Sequence, residues 1–152
     1  MSQPQQQINV ADLELPQLTD VKKQLDDELT HLTNSFAQLK AAQAKFRGCL
    51  ENVGEVKPEN ASKTLLVPLT NSLYVPGKLV NTENVIVDIG TGYYVSKTRA
   101  EATKYYQTKV DFITTNLNTL QTTIETKQQN MNYLIQVMQS KMQGGRQAQT
   151  AS

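Results

Sequence analysis

Four features of the sequence carry residue types able to do chemistry. Gly90-Thr91-Gly92 follows an apolar run and resembles the start of a glycine-rich phosphate loop. The dinucleotide fingerprint needs a third glycine at position 95, which is Val95, and a helix opening at once. A hairpin turn fits the surroundings better. His31 is the only histidine, so no second imidazole exists for a conventional metal site. Asp26-Asp27-Glu28 could supply acid and base groups, but a carboxylate run on a helix lies at a solvated rim without a concave pocket. Cys49 is the only cysteine, which excludes an intramolecular disulfide and a cysteine-rich zinc site. With no histidine nearby in sequence to activate it, Cys49 reads as a small buried or half-buried thiol. No catalytic constellation emerges. The expectation is a protein that is not an enzyme and uses no cofactor or metal.

Composition narrows the remaining classes. The chain of 152 residues has no tryptophan, three phenylalanines and 38% hydrophobic residues. That is thin for a compact globule and adequate for a fold whose core is a narrow seam. Fifteen basic residues balance fourteen acidic ones, for a net charge of +1. Nucleic acid and anionic membrane are therefore poor partners, since both need a clustered basic excess. The polar stretch Met1 to Gln7 has no signal-peptide pattern, and no apolar run approaches the roughly 20 residues that span a bilayer. The default compartment is the reducing cytosol, with the nucleus as an open addition.

The elements that would position any site are patterned in heptads. Leu18, Leu25, Leu32, Leu39, Phe46 and Val53 recur every seven residues, and Lys22, Leu29, Phe36, Gln43 and Leu50 form the interleaved register. Such alternation by three and four is the seam of a coiled coil. This first helix is expected over 17–56, with Pro16 at its start and Pro58 beyond its end. A second begins at a capping box, Thr98-Arg99-Ala100-Glu101, and spans 98–143. Its registers are Val110, Leu117, Ile124, Met131, Met138 and Tyr106, Ile113, Leu120, Lys127, Leu134. Gly144-Gly145 is expected to end it, leaving 144–152 as a disordered polar tail.

Between the helices the period becomes two. Leu65 to Leu69, Leu73 to Val75, Val85 to Ile89 and Tyr93 to Val95 read as four strands, hence two hairpins over 64–97, with Pro76-Gly77 bending or bulging the second strand. Leu65, Val67 and Leu69 face one side and Leu66 the other. Val85, Val87 and Ile89 face one way and Ile86 the other. Strands apolar on both faces want cover on both faces, and isolated hairpins are marginal in water. The hairpins therefore read as an oligomerisation device that pools strands from several chains.

The two helices return most simply as an antiparallel pair, with Phe46 near Tyr106, Leu39 near Ile113, Leu25 near Lys127 and Leu18 near Leu134. Gln43 against Val110 is a mild defect. Lys22 and Lys127 both fall in the seam far from the hairpins, which predicts a well-zipped base and an apolar, frayed tip.

The segments Leu65-Leu66-Val67-Pro68-Leu69-Thr70-Asn71-Ser72-Leu73-Tyr74-Val75-Pro76-Gly77-Lys78-Leu79 and Val87-Asp88-Ile89-Gly90-Thr91-Gly92-Tyr93-Tyr94-Val95, with Leu15-Pro16-Gln17 before the first helix, closely resemble the α class of prefoldin subunits. The resemblance covers nearly the whole chain. It implies an α+β fold: a long antiparallel two-helix coiled coil with two β-hairpins at its base that join an oligomeric β-barrel. It also implies a hexamer of two α-class and four β-class chains that captures unfolded clients, notably actin and tubulin, and delivers them without ATP to the cytosolic group II chaperonin. Binding is attributed to the coiled-coil tips. Methionine there would mould to varied partners. Val21, Leu25, Leu134, Ile135, Met138 and Met142 are the expected client contacts, although Leu25 and Leu134 could equally close the last seam layer. Leu65, Val67, Leu69, Leu73, Val75, Val85, Val87, Ile89, Tyr94 and Val95 are expected to build the shared barrel. A passive coiled-coil scaffold or spacer is the alternative; it leaves the doubly apolar hairpins unexplained.

Overall fold

The computed structural model describes residues 10–149, with side chains described through residue 144. Met1 to Gln7, and the last three residues of the expected polar tail, lie outside the described residues. Two units organise the chain. Residues 39–116 form a hairpin unit; residues 10–38 with 117–149 form a helical unit.

Helix α1 runs from Leu15 to Glu55 and α2 from Arg99 to Gln149. Helix α1 begins two residues earlier than the sequence pattern indicates, because Glu14 caps it. Its carbonyl accepts the Leu18 N–H at 2.9 Å, while its own N–H donates to Gln17 Oε1 at 3.0 Å. Pro16 sits in the first turn, where no amide donor is required. At the other end Asn60 Nδ2 donates to the Glu55 carbonyl at 2.8 Å, satisfying one group that the helix leaves open. Helix α2 opens on the expected capping box. Thr98 N–H donates to Glu101 Oε2 at 3.0 Å, and Glu101 N–H to Thr98 Oγ1 at 3.3 Å.

Gly144-Gly145 does not end α2; the backbone stays helical to Gln149. A glycine costs a helix about 1 kcal/mol relative to alanine, but it keeps its amide donor and does not break the ladder as proline does. The threonines of α2 are reconciled with the helix locally. Thr115, Thr122, Thr123 and Thr126 each donate their hydroxyl to the carbonyl four residues back.

In the hairpin unit, β1 (Thr64–Pro68) pairs antiparallel with β2 (Tyr74–Lys78), and β3 (Asn84–Gly90) with β4 (Tyr93–Thr98). Strand β2 passes through Pro76-Gly77 in regular register, with no bulge. A two-stranded ladder leaves every strand an edge, where proline is tolerated. Gly77 sits in close approach to β1: a Cβ there would lie 3.1 Å from Val67 Cγ2, which would have to shift by a few tenths of an ångström. Thr70 closes the first turn by accepting the Leu73 N–H at 3.1 Å. Gly90, Thr91 and Gly92 all have positive φ and form the second turn. A bulge between Asp88 and Gly90 takes Ile89 out of the ladder. Ile89 consequently does not share the buried face of Val87, as strict alternation had implied.

The core of this unit is Val53, Val87, Ala102 and Tyr106, flanked by Phe46, Cys49, Leu50, Val85 and Tyr105. It joins both helices to the second hairpin. Phe46 and Tyr106 meet with ring centroids 6.2 Å apart, in the register that the heptads imply. Gln43 is not a defect. Its Nε2 donates to Thr114 Oγ1 at 2.7 Å, and that hydroxyl donates to the Val110 carbonyl at 2.7 Å.

The helical unit departs from the expected frayed end. Leu18, Leu117, Met131 and Leu134 are buried there, and Leu25, Leu29, Leu32 and Leu120 are half-buried. The seam charge at Lys127 is answered by Glu28, whose Oε2 lies 2.6 Å from Nζ. Glu28 thus leaves the solvated rim where the acidic run had placed it. Both side chains keep more than a third of their surface in water, so the pair avoids the full desolvation cost of buried charge. Lys22 is half-buried. Lys141 Nζ donates to the Leu13 carbonyl at 2.7 Å, so the chain before α1 lies beside the part of α2 that follows Leu134. That segment carries no heptad signal, which is why cover at this end looked insufficient.

Candidate binding and assembly surfaces

Each hairpin presents more apolar surface than it covers. Strand β1 is exposed along its whole length, and β2 everywhere except Gly77. Of the ten strand side chains expected to build a shared barrel, eight are exposed: Leu65, Val67, Leu69, Leu73, Val75, Ile89, Tyr94 and Val95. The other two are turned inward. Val87 is 1% exposed in the chain's own core, and Val85 packs half-buried beside it. Their face of β3 turns toward the helices of the same chain; Val87 is spent there, while Val85 keeps part of its surface open. The opposite face of β3 offers Ile86 instead, 75% exposed. Leu66, Tyr74 and Tyr93 are likewise open. The alternation of apolar residues on both faces was the signal for Leu66 and Ile86.

In the helical unit the six expected client contacts divide. Leu134 is 2% exposed and belongs to the packed seam. Leu25, Ile135 and Met138 are half-buried. Val21 is exposed at 37% and Met142 at 51%, and these two offer the open apolar surface. Leu15 and Tyr133 are also exposed in this unit. Leu15 flanks Pro16 at the helix start, seven residues before Lys22 and so in its register, yet stays open; Tyr133 lies between seam positions Met131 and Leu134 and does not follow from the seam pattern.

The residues singled out for possible chemistry do not converge. His31 is exposed on α1, and Gly90-Thr91-Gly92 is a strand turn. Cys49 is half-buried and lines an open cavity of 230 Å³ with Val53, Ile86, Val87 and Tyr106. Burial pushes the Tyr106 phenol above its usual range, and Cys49 adds to the shift. That is the electrostatics of a packed, mostly apolar wall. Glu28 moves the other way: the hydrogen bond and charge of Lys127 hold its carboxyl below the usual range. Among the described residues, no three His, Cys, Asp or Glu side chains are grouped to hold a metal ion.

Two antiparallel strand pairs between two long heptad helices are the arrangement expected of prefoldin subunits, and the family model described as prefoldin subunit matches residues 25–144. The chain belongs to the prefoldin family. A protein of Schizosaccharomyces pombe described as a probable prefoldin subunit 5 is 45% identical over 143 residues, covering 93% of each chain. Human prefoldin subunit 5 is 41% identical over 138 residues, covering 91% of this chain and 90% of the human one. Among solved structures, a chain of the filamentous prefoldin of Methanocaldococcus jannaschii superposes with a TM-score of 0.66. It shares 22% identity and covers 77% of this chain and 97% of that one, a likeness of fold. Prefoldin subunits are components of a chaperone, and their partners are other prefoldin subunits.

Proposed function

We propose that this chain is one of two α-class subunits in a hexamer with four β-class subunits, and that the hexamer captures unfolded polypeptides, actin and tubulin among them, and hands them without nucleotide to the cytosolic group II chaperonin. The strands contribute to a shared barrel, and the helical unit contributes grip. The observation that carries the second part is apolar surface left open in a unit whose seam is otherwise closed, above all Met142 at 51% exposure, with Val21 exposed and Met138 half-buried. A thioether on a flexible stem adapts to unrelated apolar segments, which is what a receptor for many clients needs. The cytosol, where such clients fold, is the proposed place of work.

The test uses the reconstituted hexamer and a chemically denatured client, followed by light scattering. Met142→Ser with Val21→Ser should leave the native mass of the hexamer unchanged and weaken suppression of aggregation. Suppression equal to wild type would remove these two as principal contacts. Burial of Leu18, Met131 and Leu134 keeps a second reading open, since a closed seam is what a passive spacer requires. Failure of every assembly containing this chain to retain unfolded protein would favour the spacer.

A further inference from the structure

One face of α2 in the hairpin unit is used by neither surface above. Tyr105 and Phe112 stand seven residues apart on the helix, hence on one face and about 10 Å from each other along the axis. Phe112 is 67% exposed, far more than a chain with three phenylalanines needs to leave in water. Lysines gather at Tyr105. Lys109 Nζ lies 5.5 Å from the centre of the Tyr105 ring, and Lys97 Nζ, from β4, lies 5.9 Å from it. Both distances are within reach of a cation–π contact. Lys104 joins them around an open groove of 480 Å³. The one carboxylate in that groove, Glu101, is already engaged by the Thr98 amide. Asp111, seven residues after Lys104 on the helix, borders this face on the Lys104 side and accepts a hydrogen bond from Gln107.

We infer that the face built by Lys104, Tyr105, Lys109 and Phe112, with Lys97 beside it, docks an acidic segment of a partner polypeptide, with an apolar side chain of that segment seated against Phe112. Charge complementarity selects this occupant. Three ammonium groups share the groove with one carboxylate, Glu101, whose charge Lys97 attracts, so an arriving glutamate or aspartate meets a net positive charge beside an aromatic ring. Nucleic acid and anionic lipid are poorer fits. Each is tracked by an extended basic surface, whereas this patch is local and the whole chain carries only +1. The chain's own acidic run is a poor occupant in a second copy, because Glu28 is held by Lys127. The inference stands apart from client capture by the helical unit, and either can fail without the other.

Fluorescence anisotropy tests it on the full-length chain and on the reconstituted hexamer. The probe is a labelled synthetic peptide of alternating glutamate and leucine; its counterpart replaces each glutamate with glutamine. Wild type should bind the first and not the second, more weakly as salt shortens the screening length. The triple reversal Lys97→Glu, Lys104→Glu and Lys109→Glu should weaken binding by roughly tenfold or more. Phe112→Ser should weaken it several-fold while leaving its salt dependence unchanged. Lys104, Lys109 and Phe112 are exposed and Lys97 is half-buried, and circular dichroism melts matching wild type verify that the variants fold. Binding of the glutamine peptide equal to that of the glutamate peptide would overturn the inference. So would undiminished binding by the triple reversal, or no binding by wild type. Phosphatidylserine vesicles or an oligonucleotide captured by the same lysines in place of the peptide would overturn it in favour of those ligands. A doubling of native mass abolished by the reversal would point instead to a second copy of the chain.

Discussion

Val87, Leu18 and Glu28 show how unequal single side chains are in this chain. Val87 is closed in among Val53, Ala102 and Tyr106, and two methyl groups would be missing from that core in Val87→Ala. A loss of roughly 1–3 kcal/mol is expected, read as a lower denaturant midpoint with unchanged slope. Leu18 has no exposed surface, and Leu18→Ala should cost about 2–5 kcal/mol if the helical unit cannot collapse onto the space. Glu28 works by charge. Its carboxyl titrates below the ordinary glutamate range when folded, so its contribution to stability is present at neutral pH and lost as pH falls through that depressed value. Glu28→Gln should therefore lower the thermal midpoint slightly at neutral pH and converge with wild type in acid. The effect is small because the pair stays open to water. A gap that persists unchanged at low pH would show that the residue acts through packing instead.

Helices and strands answer to local chemistry that single substitutions can isolate. Thr98 Oγ1 accepts the Glu101 N–H at the start of α2, and Thr98→Ala should cost about 1 kcal/mol through the lost cap. Gly92 has φ of +79°, so Gly92→Ala strains the β3–β4 turn and should cost on the order of 1 kcal/mol, with hydrogen exchange faster in β3 and β4 than elsewhere. Both features were legible in the sequence, because capping boxes and glycine turns are written in consecutive residues. The seam was legible for the same reason: Phe46 against Tyr106 follows from heptad arithmetic alone. What could not be read depends on partners distant in sequence or on small backbone departures. Nothing adjacent to Lys127 announces Glu28 as its counter-ion. The Lys141 bond to the Leu13 carbonyl recruits a segment outside any heptad. The bulge at Ile89 takes it out of the alternation, and α2 continues through two glycines because a penalty in propensity is not a break.

For the whole molecule, membership of the prefoldin family supplies other prefoldin subunits as partners, and the exposed strands are the surface proposed to meet them. An open, two-faced apolar hairpin invites edge pairing unless it is committed to partner chains. Leu66→Lys with Ile86→Lys changes only exposed side chains, so the isolated chain should melt as wild type does while native mass spectrometry finds the hexamer depleted. The candidate grip was partly legible: Met142 and Val21 are open, whereas Leu134 is spent on the seam. The claim that this chain holds unfolded protein through the open part of its helical unit is tested most directly by site-specific photo-crosslinking. A photoreactive side chain placed at position 142 in the assembled hexamer should crosslink to a freshly denatured client, and the same group in place of exposed Asn118 on α2 should not. Equal crosslinking from the two positions, or none from position 142, would contradict the claim.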